Sequence, residues 1–386
     1  MRGFTYDALP GRVVFGVGAA GRVGEEVDRL GASRVLLVGS KRAVEGPAEP
    51  LGGVPGSLAE PLGGVPGSLA EPLGGVPGSL AERLGGRVAG SFTDVRQHVP
   101  AATAQAAREL AAELAADCLV AVGGGSATGL AKAVALEHPV PIVAVPTNYA
   151  GSEMTPIWGL TSDGRKQTGR DPRVLPAVVV YDPALTVSLP AALTGPSGMN
   201  ALAHCVEALY APGANPATSA LALEGARALA RGLPAAVADP EDLEGRADAL
   251  LGAWLAGAAL AVAGTAVHHQ VCHTLGGAFG LDHAGTHTAV LPHAVRFVSV
   301  AVPGEMARVA EALGAADAAS GCYDLARRLG APAGLRELGL DQADLDRAAE
   351  LCAARVAQAP RPAGRDELRA LLADAWAGAR PTAARS

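Results

Sequence analysis

Short apolar runs alternate with helical patterns over the first half of the chain. Residues 12–16 and 34–38 are apolar runs of strand length on either side of the helical stretch GAAGRVGEEVDRLG. Further along, a helical pattern over 102–117 precedes the apolar run at 118–122, and another helical pattern separates that run from 141–145. This alternation predicts a parallel sheet with crossover helices, whose ligands bind at the carboxyl ends of the strands.

The pattern changes after a strand-like run at 177–183. From there onward, long stretches rich in Ala, Leu, Arg and Glu have helical spacing and few strand signals. We therefore predict a Rossmann-like α/β nucleotide-binding domain over 1–186 and an all-α carboxyl-terminal domain over 187–386. The uncharged stretch 250–267 approaches the length of a membrane span, but its many Gly and Ala residues favour a buried core helix.

An eleven-residue segment is repeated in tandem. LGGVPGSLAEP occupies 51–61 and 62–72, and it recurs at 73–83 with Arg83 in place of the last proline. Each copy carries Gly-Gly and Pro-Gly, which break helix and strand, so we predict an exposed insertion over 51–83. A partner-binding array is the alternative, although three copies of eleven residues bury too little surface to fold alone.

The composition restricts the class of protein. With 386 residues the chain is long enough for two domains, and its 49% hydrophobic but only 3% aromatic residues indicate cores of Ala, Leu and Val. A formal net charge of −7 argues against a nucleic-acid partner, which requires a basic face. The five cysteines are scattered without a Cys-x-x-Cys pair, and the first residues lack the pattern of a secretory signal. These features predict a cytoplasmic protein with no membrane partner.

A glycine-rich turn, Gly123-Gly124-Gly125-Ser126, follows the apolar run at 118–122 and precedes a helix. Bare backbone amides and the positive end of a helix can hold a pyrophosphate at such a turn, although a tight strand-to-helix connection has the same pattern. The next strand is followed at once by the polar segment 146–153, which places hydroxyl and amide groups at the same edge of the sheet. Small polar groups there suit the phosphates and ribose of a nucleotide.

Two pairs of polar residues have the four-residue spacing that stacks side chains on one helix face. They are Asn200 with His204 and His269 with His273, and His283 follows ten residues later. Neutral imidazole both ligates divalent metals and titrates near neutral pH, so converging histidines indicate either a metal site or proton-transfer chemistry. Single rings can instead be core histidines bonded to backbone carbonyls. Three further histidines are weaker candidates: His268, His287 and His293.

With these motifs in view, the chain resembles the iron-containing alcohol dehydrogenase superfamily, and within it the maleylacetate reductases. The matching stretches are GGGSATGLAKAVAL (123–136), PTNYAGSEMTPIWGLTSDGRKQTGRDPRVLP (146–176), YDPALT (181–186), GMNALAHCVEALY (198–210) and HHQVCHTLGGAFGLDHAGTHTAVLPH (268–293). Together they run through most of residues 120–295.

The resemblance implies an amino-terminal nicotinamide-binding domain, a helical carboxyl-terminal domain, a substrate cleft between them, and a homodimer. On the family's pattern, the glycine turn holds the pyrophosphate and segment 147–152 contacts the nucleotide. The residues implied to bind the cofactor are Gly123, Gly124, Gly125, Ser126, Lys132, Thr147, Tyr149 and Ser152.

The residues after the run at 34–38 bear on which nicotinamide cofactor is accepted. An acid at this place binds the ribose diol of NAD and repels the 2′-phosphate of NADP. Here Gly39, Ser40, Lys41 and Arg42 follow, without an acid and with two cations. Gly39 and Ser40 are therefore candidate cofactor-binding residues, and we expect the chain to use NADH or NADPH.

One departure from the superfamily concerns its metal site. The superfamily's ligands, one Asp and three His, fall on Asn200, His204, His269 and His283, so an amide stands where the acid would be. Neutral ligands leave the charge of a dication uncompensated, although three imidazoles hold zinc in some enzymes. The maleylacetate reductase pattern itself carries Asn at this place. We therefore expect no bound metal, with zinc or iron on these four residues as the alternative.

The resemblance also implies the substrate, maleylacetate, a dicarboxylate whose double bond is conjugated to a ketone. Hydride addition to the carbon β to the ketone leaves an enolate that needs charge stabilisation and a proton, and an imidazolium meets both needs. We expect His269 and His273 to be the catalytic pair, with His204 and His283 completing the pocket.

The two carboxylates of such a substrate need cationic or hydrogen-bonding partners. The basic run GRKQTGRDPR provides such groups near the expected rim of the cleft, although a charge run is more often a solvated surface loop. The candidate substrate-binding residues are Asn200, Lys166, Arg170 and Arg173.

Three functions are consistent with the sequence. The first is NAD(P)H-dependent reduction of the double bond of maleylacetate to 3-oxoadipate, in the breakdown of aromatic compounds. The second is a metal-dependent alcohol or carbonyl oxidoreductase of the same superfamily. The third is a non-catalytic binding or scaffold protein that uses the repeat at 51–83 as its interaction arm.

Overall fold

The computed structural model describes residues 4, 6–9, 11–45, 79–162 and 165–381. Its strands are β1 (Arg12–Phe15), β2 (Val35–Gly39), β3 (Val88–Phe92), β4 (Cys118–Gly123), β5 (Ile142–Pro146), β6 (Ile157–Ser162), β7 (Arg165–Arg170) and β8 (Val178–Tyr181). Six of them form one sheet of parallel pairs in the order β1-β8-β5-β4-β2-β3, while β6 and β7 form an antiparallel hairpin. The parallel α/β sheet predicted from the alternating pattern is confirmed.

Alternate residues of the strands face opposite sides of the sheet, and helices cover both sides. On one side, Leu37 packs with Val27 and Leu84 of two short helices. On the other side, Leu36 packs with Ala107 and other residues of two longer helices. The helices of this half are α1 (Val23–Arg29), α2 (Lys41–Glu45), α3 (Leu80–Leu84), α4 (Ala101–Glu113) and α5 (Gly125–Ala135).

The second half is helical, as predicted. Its helices are α6 (Ala191–Glu207), α7 (Pro216–Ala238), α8 (Leu243–Ala263), α9 (Val267–Phe279), α10 (His283–Ser299), α11 (Pro303–Leu313), α12 (Ala318–Arg328), α13 (Leu345–Ala353) and α14 (Arg365–Ala377). Glycines let α7 and α8 approach closely, since a Cβ at Gly232 would lie 2.4 Å from the Ala249 nitrogen and one at Gly252 would lie 2.5 Å from Leu229 Cγ. This close packing accounts for a core built on Ala and Gly rather than aromatic residues.

Helix α8 covers most of the uncharged stretch 250–267. It is long and apolar enough to cross a membrane, but 67% of its apolar window is buried inside the protein, as in a core helix. The last strand of the sheet ends at Tyr181 and α6 begins at Ala191. A domain boundary at 186 stays a prediction, and one apolar cluster joins Tyr149 and Tyr181 of the first half to Leu202 of the second.

The end of the tandem repeat differs from the prediction of an exposed insertion. Ser79 begins α3 with a capping box, in which its hydroxyl accepts from the Glu82 amide and the Glu82 carboxylate accepts from the Ser79 amide. Leu80 and Leu84 of this helix are buried in the sheet core. The last residues of the third copy are therefore part of the folded core, and residues 51–78 of the predicted insertion lie outside the described ranges.

Candidate active site

The glycine-rich turn lies at the carboxyl edge of the sheet, between β4 and α5. Gly123 has a φ of +141°, which favours glycine, and Gly124 lies directly against the Asn148 side chain, where a Cβ would come within 2.3 Å of Nδ2. No side chain caps the first amides of α5. Uncapped amides at a helix start are free to bind an anion such as a pyrophosphate.

The polar segment after β5 lies against this turn and also reaches the helical half. The Thr147 amide donates to the Gly123 carbonyl at 3.1 Å. Gly151 has a φ of +76°, and a Cβ there would lie 3.3 Å from both His204 Nδ1 and the Gly257 Cα. One segment thus contacts the predicted nucleotide turn at one end and the predicted histidine site at the other.

Two residues predicted to bind the cofactor are enclosed in the protein. Lys132 is fully buried, and its Nζ donates to the carbonyls of Ser152, Thr155 and Ile157 at 2.6, 2.7 and 2.9 Å. Tyr149 is also fully buried, and its hydroxyl accepts from Arg246. Direct contact of these side chains with a nucleotide is therefore wrong, because neither reaches the surface. They hold the segment 147–157 in place instead.

The remaining predicted cofactor residues lie at the carboxyl edge of the sheet. Thr147, Ser152 and the glycine turn are partly accessible, and Ser40 is exposed just beyond the end of β2. Gly39 is the last residue of β2 and pairs with Val122 of β4. A Cβ at Gly39 would lie 2.6 Å from the Val122 carbonyl oxygen. Their contacts with a cofactor stay predictions.

The structure brings the four predicted histidines together. His204 stacks on His269 with ring centroids 4.8 Å apart, His269 lies 5.8 Å from His273, and His273 stacks on His283 at 5.9 Å. Two of the weaker candidates complete the cluster, which consists of His204, His268, His269, His273, His283 and His287. Helices α6, α9 and α10 each contribute rings to it.

Glu207 is the functional residue that the sequence interpretation missed. Its Oε2 lies 2.5 Å from His269 Nδ1 and accepts from the Ala266 amide at 2.9 Å, while Oε1 accepts from the His268 amide at 2.7 Å. Burial alone would raise the pKa of this carboxyl, but His269 and the amides lower it to about 2. Glu207 is therefore an ionised carboxylate at neutral pH. Its spacing of three residues after His204 is the sequence signal that indicates it.

Most other rings of the cluster are held neutral. Burial, followed by the neighbouring imidazoles, lowers the pKa of His204 and of His287 well below the usual value, and burial lowers that of His268 to about 3. His269 differs from them because an ionised carboxylate lies on its Nδ1. The geometry thus fixes Nδ1–H as the donor to Glu207 and leaves Nε2 for another partner.

Several polar atoms inside the cluster have no partner within the described part of the chain. They are Asn200 Oδ1, His204 Nδ1, His269 Nε2 and His287 Nε2. Buried polar atoms are nearly always hydrogen-bonded, so these atoms can accept bonds from, or donate bonds to, a ligand or water that enters the cluster.

The predicted metal ligands meet two difficulties. Both oxygens of Glu207 are already used by amides and His269, so the set Asn200, His204, His269 and His283 has no anion available. In the described residues, two groups of three histidines have ligand atoms within 4.8 Å of one another. One is His268, His269 and His287, and the other is His273, His283 and His287. The predicted set therefore offers a dication only neutral donors, and its three histidines are not one of these compact triads.

The basic run at 164–173 is not a solvated loop, since most of it forms β7 of the hairpin. Arg170 donates to the Ala261 carbonyl on α8, close to the helices of the cluster. Arg173 pairs with Asp171 and donates to the Leu136 carbonyl, at the end of α5 opposite the glycine turn. Eleven helical residues separate those ends by about 16 Å. Arg173 therefore lies away from the glycine turn, and its contact with substrate stays a prediction. The Lys166 side chain lies outside the described part.

Two protein-family models match the chain. The model of the carboxyl-terminal part of the Fe-containing alcohol dehydrogenase family matches residues 194–376, and the iron-containing alcohol dehydrogenase model matches residues 73–183. The first match contains the histidine cluster and the second contains the glycine turn.

Curated proteins and solved structures are similar over almost the whole length. The maleylacetate reductase of Sphingobium indicum is 46% identical, with 99% of each chain covered. The crystal structure of maleylacetate reductase from Rhizobium sp. strain MTP-10005 has a TM-score of 0.88 at 43% identity, covering 99% of this chain and 100% of that one. A putative alcohol dehydrogenase from Ralstonia eutropha JMP134 has a TM-score of 0.87 at 47% identity, with the same coverage.

Proposed function

The chain belongs to the iron-containing alcohol dehydrogenase family, and we propose that it is a maleylacetate reductase. It reduces the 2,3 double bond of maleylacetate with NAD(P)H and a proton, giving 3-oxoadipate and NAD(P)⁺. The observation that carries the proposal is the Glu207–His269 pair. Glu207 holds the His269 ring so that its Nε2 has no partner among the described residues, and the ring stacks on His204, which lies beside the segment that leads to the glycine turn.

A nicotinamide cofactor fits the carboxyl edge of the sheet. The uncapped amides of α5 and the close turn at Gly124 provide a place for its pyrophosphate. Thr147 and Ser152 lie beside that turn, and Ser40 stands at the end of β2, where the adenosine ribose of such a cofactor binds in this type of sheet. When bound, the reduced nicotinamide supplies a hydride to the carbon β to the ketone.

His269 stabilises the enolate oxygen that this reduction creates. In the proposed step the ring acts as an imidazolium: Nδ1–H donates to Glu207, and Nε2–H donates to the enolate oxygen inside the buried cluster. His273 is exposed and its ring lies 5.8 Å from that of His269, so it is placed to return protons from solvent. His204 and His283 complete the pocket on either side of this pair.

We propose that the enzyme works without a bound metal. The neutral donor set of Asn200, His204, His269 and His283 supports this, because it leaves the charge of a dication uncompensated. The group that stabilises the enolate in this proposal is the ring of His269, which Glu207 holds in place. Asn200 then serves the substrate, since its buried Oδ1 lacks a protein partner one helical turn from His204. Arg170 and Lys166 on the hairpin are the proposed partners of the substrate carboxylates.

We also propose a cytoplasmic homodimer. The cysteines Cys118, Cys205, Cys272, Cys322 and Cys352 are all free and buried, which suits a reducing compartment. Among the described strands β1 is an edge of the sheet, with Phe15 and Val17 exposed at its end. A sheet edge with apolar side chains suits pairing with a second copy. Light scattering on a sizing column measures the mass in solution, and a monomer at micromolar concentration would contradict this part.

The test is an absorbance assay of NADH and NADPH oxidation with freshly generated maleylacetate, with and without a chelator. We expect turnover with both cofactors and no loss of rate in chelator. Activity that vanishes in chelator and returns with zinc or iron would favour the metal-dependent oxidoreductase instead.

Two variants separate the enzyme from a non-catalytic scaffold. His269→Ala should lower turnover by about a hundredfold or more, the usual scale for a lost acid catalyst. Deletion of residues 51–72, which removes two copies of the repeat, should leave turnover unchanged. The opposite pair of results would support the scaffold. His98→Asn is the matched control, because His98 is exposed, lies outside the cluster and has a φ of +62° that Asn accepts.

A further inference from the structure

A cavity lies between α10 and α14, outside the histidine cluster. It measures about 410 Å³, which is within the usual range for small-molecule sites. His293, a weaker candidate from the sequence, lines this cavity. It follows His287 by six residues, so it is rotated by about 120° around α10 and projects from a different side of the helix.

Positive charges without a carboxylate partner line the cavity. Arg296 is half-buried on α10 and forms no ion pair with another described residue. Arg361 lies 4.7 Å from the centre of the Phe297 ring and donates to the Phe297 carbonyl at 3.4 Å, but it pairs with no described carboxylate. Arg380 differs, because two hydrogen bonds to Asp324 compensate its charge. Two guanidinium groups are therefore available to an anion.

Negative charges line the same cavity from α14. Glu367 and Asp374 are seven residues apart, which places both on one face of the helix, and both border the cavity. Both are exposed and form no ion pair with another described residue. Leu371 lies between them and, with Phe297, gives the cavity an apolar surface. The cavity thus presents uncompensated charges of both signs beside apolar side chains.

His293 contributes a polar group without charge. Its ring is buried, and Nε2 has no partner among the described residues. Burial lowers the pKa of His293 to about 4, so the ring is neutral at pH 7. Buried polar atoms are nearly always hydrogen-bonded, so this Nε2 can bond to a ligand or water that enters the cavity.

We propose that this cavity binds a zwitterionic α-amino acid with an apolar side chain. The carboxylate of the ligand pairs with Arg296 and Arg361, and its ammonium group faces Glu367 and Asp374. The apolar side chain packs on Phe297. A simple anion would meet the two acids, and a simple cation would meet the two guanidinium groups, so a ligand with both charges fits best.

Isothermal titration calorimetry on the full-length protein, without cofactor or substrate, tests binding. The probes are L-phenylalanine and L-leucine, with 3-phenylpropanoate and 2-phenylethylamine as analogues that lack the ammonium group or the carboxylate. We expect an amino acid to bind at one equivalent and each analogue to bind at least about tenfold more weakly, because hydrogen bonds to a charged group are lost. Failure of both amino acids to bind, or equal binding of either analogue, would overturn the proposal.

Variants assign each charge to its partner. Arg361→Gln should weaken binding of L-phenylalanine and 3-phenylpropanoate by about tenfold or more and leave 2-phenylethylamine unchanged, whereas Asp374→Asn should do the reverse for the two analogues. Ala370→Trp fills the cavity without changing its charge and should abolish binding. Arg308→Gln is the matched control, because Arg308 is exposed on α11 and lies outside the cavity. Thermal unfolding checks that each variant keeps its fold.

Two further proteins separate this cavity from other places of binding. His269→Ala should bind L-phenylalanine as the unaltered protein does, and a loss of binding there would move the ligand to the histidine cluster and overturn the proposal. Residues 382–386 follow Pro381 outside the described ranges, so a chain ending at Pro381 is also titrated and should bind with unchanged affinity. Binding by the shortened chain alone would assign the cavity to the protein's own carboxyl terminus. The titration needs no turnover, so its outcome is independent of the proposed function.

Discussion

Glu207 lies on α6 three residues after His204, yet its carboxylate holds His269 on α9 at 2.5 Å. The same carboxylate accepts the amides of Ala266 and His268, so it fixes the start of α9 as well as the ring. A single buried anion thereby fixes the orientation of one ring of the cluster and the start of the helix that carries it.

Replacing Glu207 tests that role. Glu207→Gln should lower kcat by roughly 10- to 100-fold with little change in KM for the cofactor, because the ring loses its orienting anion but the glycine turn is untouched. Steady-state kinetics over a pH series measures this, and Glu207→Asp should recover part of the rate. Tyr210→Phe is the control, since it removes only a hydroxyl 3.3 Å from Oε1. A loss confined to KM would contradict the assignment.

The neutral histidines predict how stability depends on pH. The unfolded chain takes up a proton near pH 6.5 at His268, whereas the folded pKa is about 3. The free energy of unfolding should therefore fall as pH decreases from 6.5 towards 5, by about 1.4 kcal/mol per pH unit for each such ring. Glu207, with its pKa lowered from 4.5 to about 2, contributes stability that is lost only below pH 4.5.

Urea unfolding at several pH values measures this slope. His287→Gln removes one neutral ring, so its slope between pH 6.5 and 5 should be smaller by about 1.4 kcal/mol per unit. Equal stability at pH 6.5 and pH 5 in the unaltered protein would contradict the neutral state of the rings.

Lys132 should act on stability rather than on cofactor affinity. Lys132→Met leaves the carbonyls of Ser152, Thr155 and Ile157 without their donor and should lower the free energy of unfolding by at least about 2 kcal/mol. Arg336→Met, at an exposed position in the helical half, is the control for loss of a charge. A rise in KM for the cofactor at unchanged stability would instead restore the direct contact predicted from the sequence.

The residues after β2 should allow both cofactors. Gly39 and Ser40 provide no acid to repel a 2′-phosphate, so kcat/KM for NADPH should lie within about tenfold of that for NADH. Ser40→Asp should lower the value for NADPH by about a hundredfold and leave that for NADH nearly unchanged, because like charges in contact cost several kcal/mol. Ser40→Asn tests the shape of the side chain without the charge. Strict rejection of NADPH by the unaltered protein would contradict the prediction.

The fold was largely predictable from the sequence. Short apolar runs indicate strands, and apolar residues that recur every 3.6 residues indicate helices, and both patterns can be read from neighbouring residues alone. Strand β3 and the hairpin of β6 and β7 were not. Strands β3 and β6 are short and only partly buried, β7 is polar, and all three gain their partners only in the folded protein. The basic run at 164–173 was interpreted through its charge alone, although the strand pairing of its backbone decides where Arg170 and Arg173 lie.

The site was predictable in part for a similar reason. Helical spacing places Asn200 beside His204 and His269 beside His273. The contact between α6, α9 and α10 depends on tertiary packing, which local spacing does not predict. The spacing of Glu207, three residues after His204, was overlooked because a Glu near the end of a helix is usually solvated. Lys132 was misassigned because a lysine after a phosphate-type turn commonly faces the ligand, whereas here it points into three carbonyls.

Arg83, which replaces the proline of the earlier copies, has a consequence for the history of the gene. Its amide donates to the Ser79 carbonyl at 3.2 Å and so continues α3, a bond that a proline in this position would abolish. Slippage during replication can therefore add or remove whole eleven-residue units ahead of Ser79 without altering the helix, provided that the last unit keeps arginine. Close relatives are expected to differ in the number of units and to agree at Arg83.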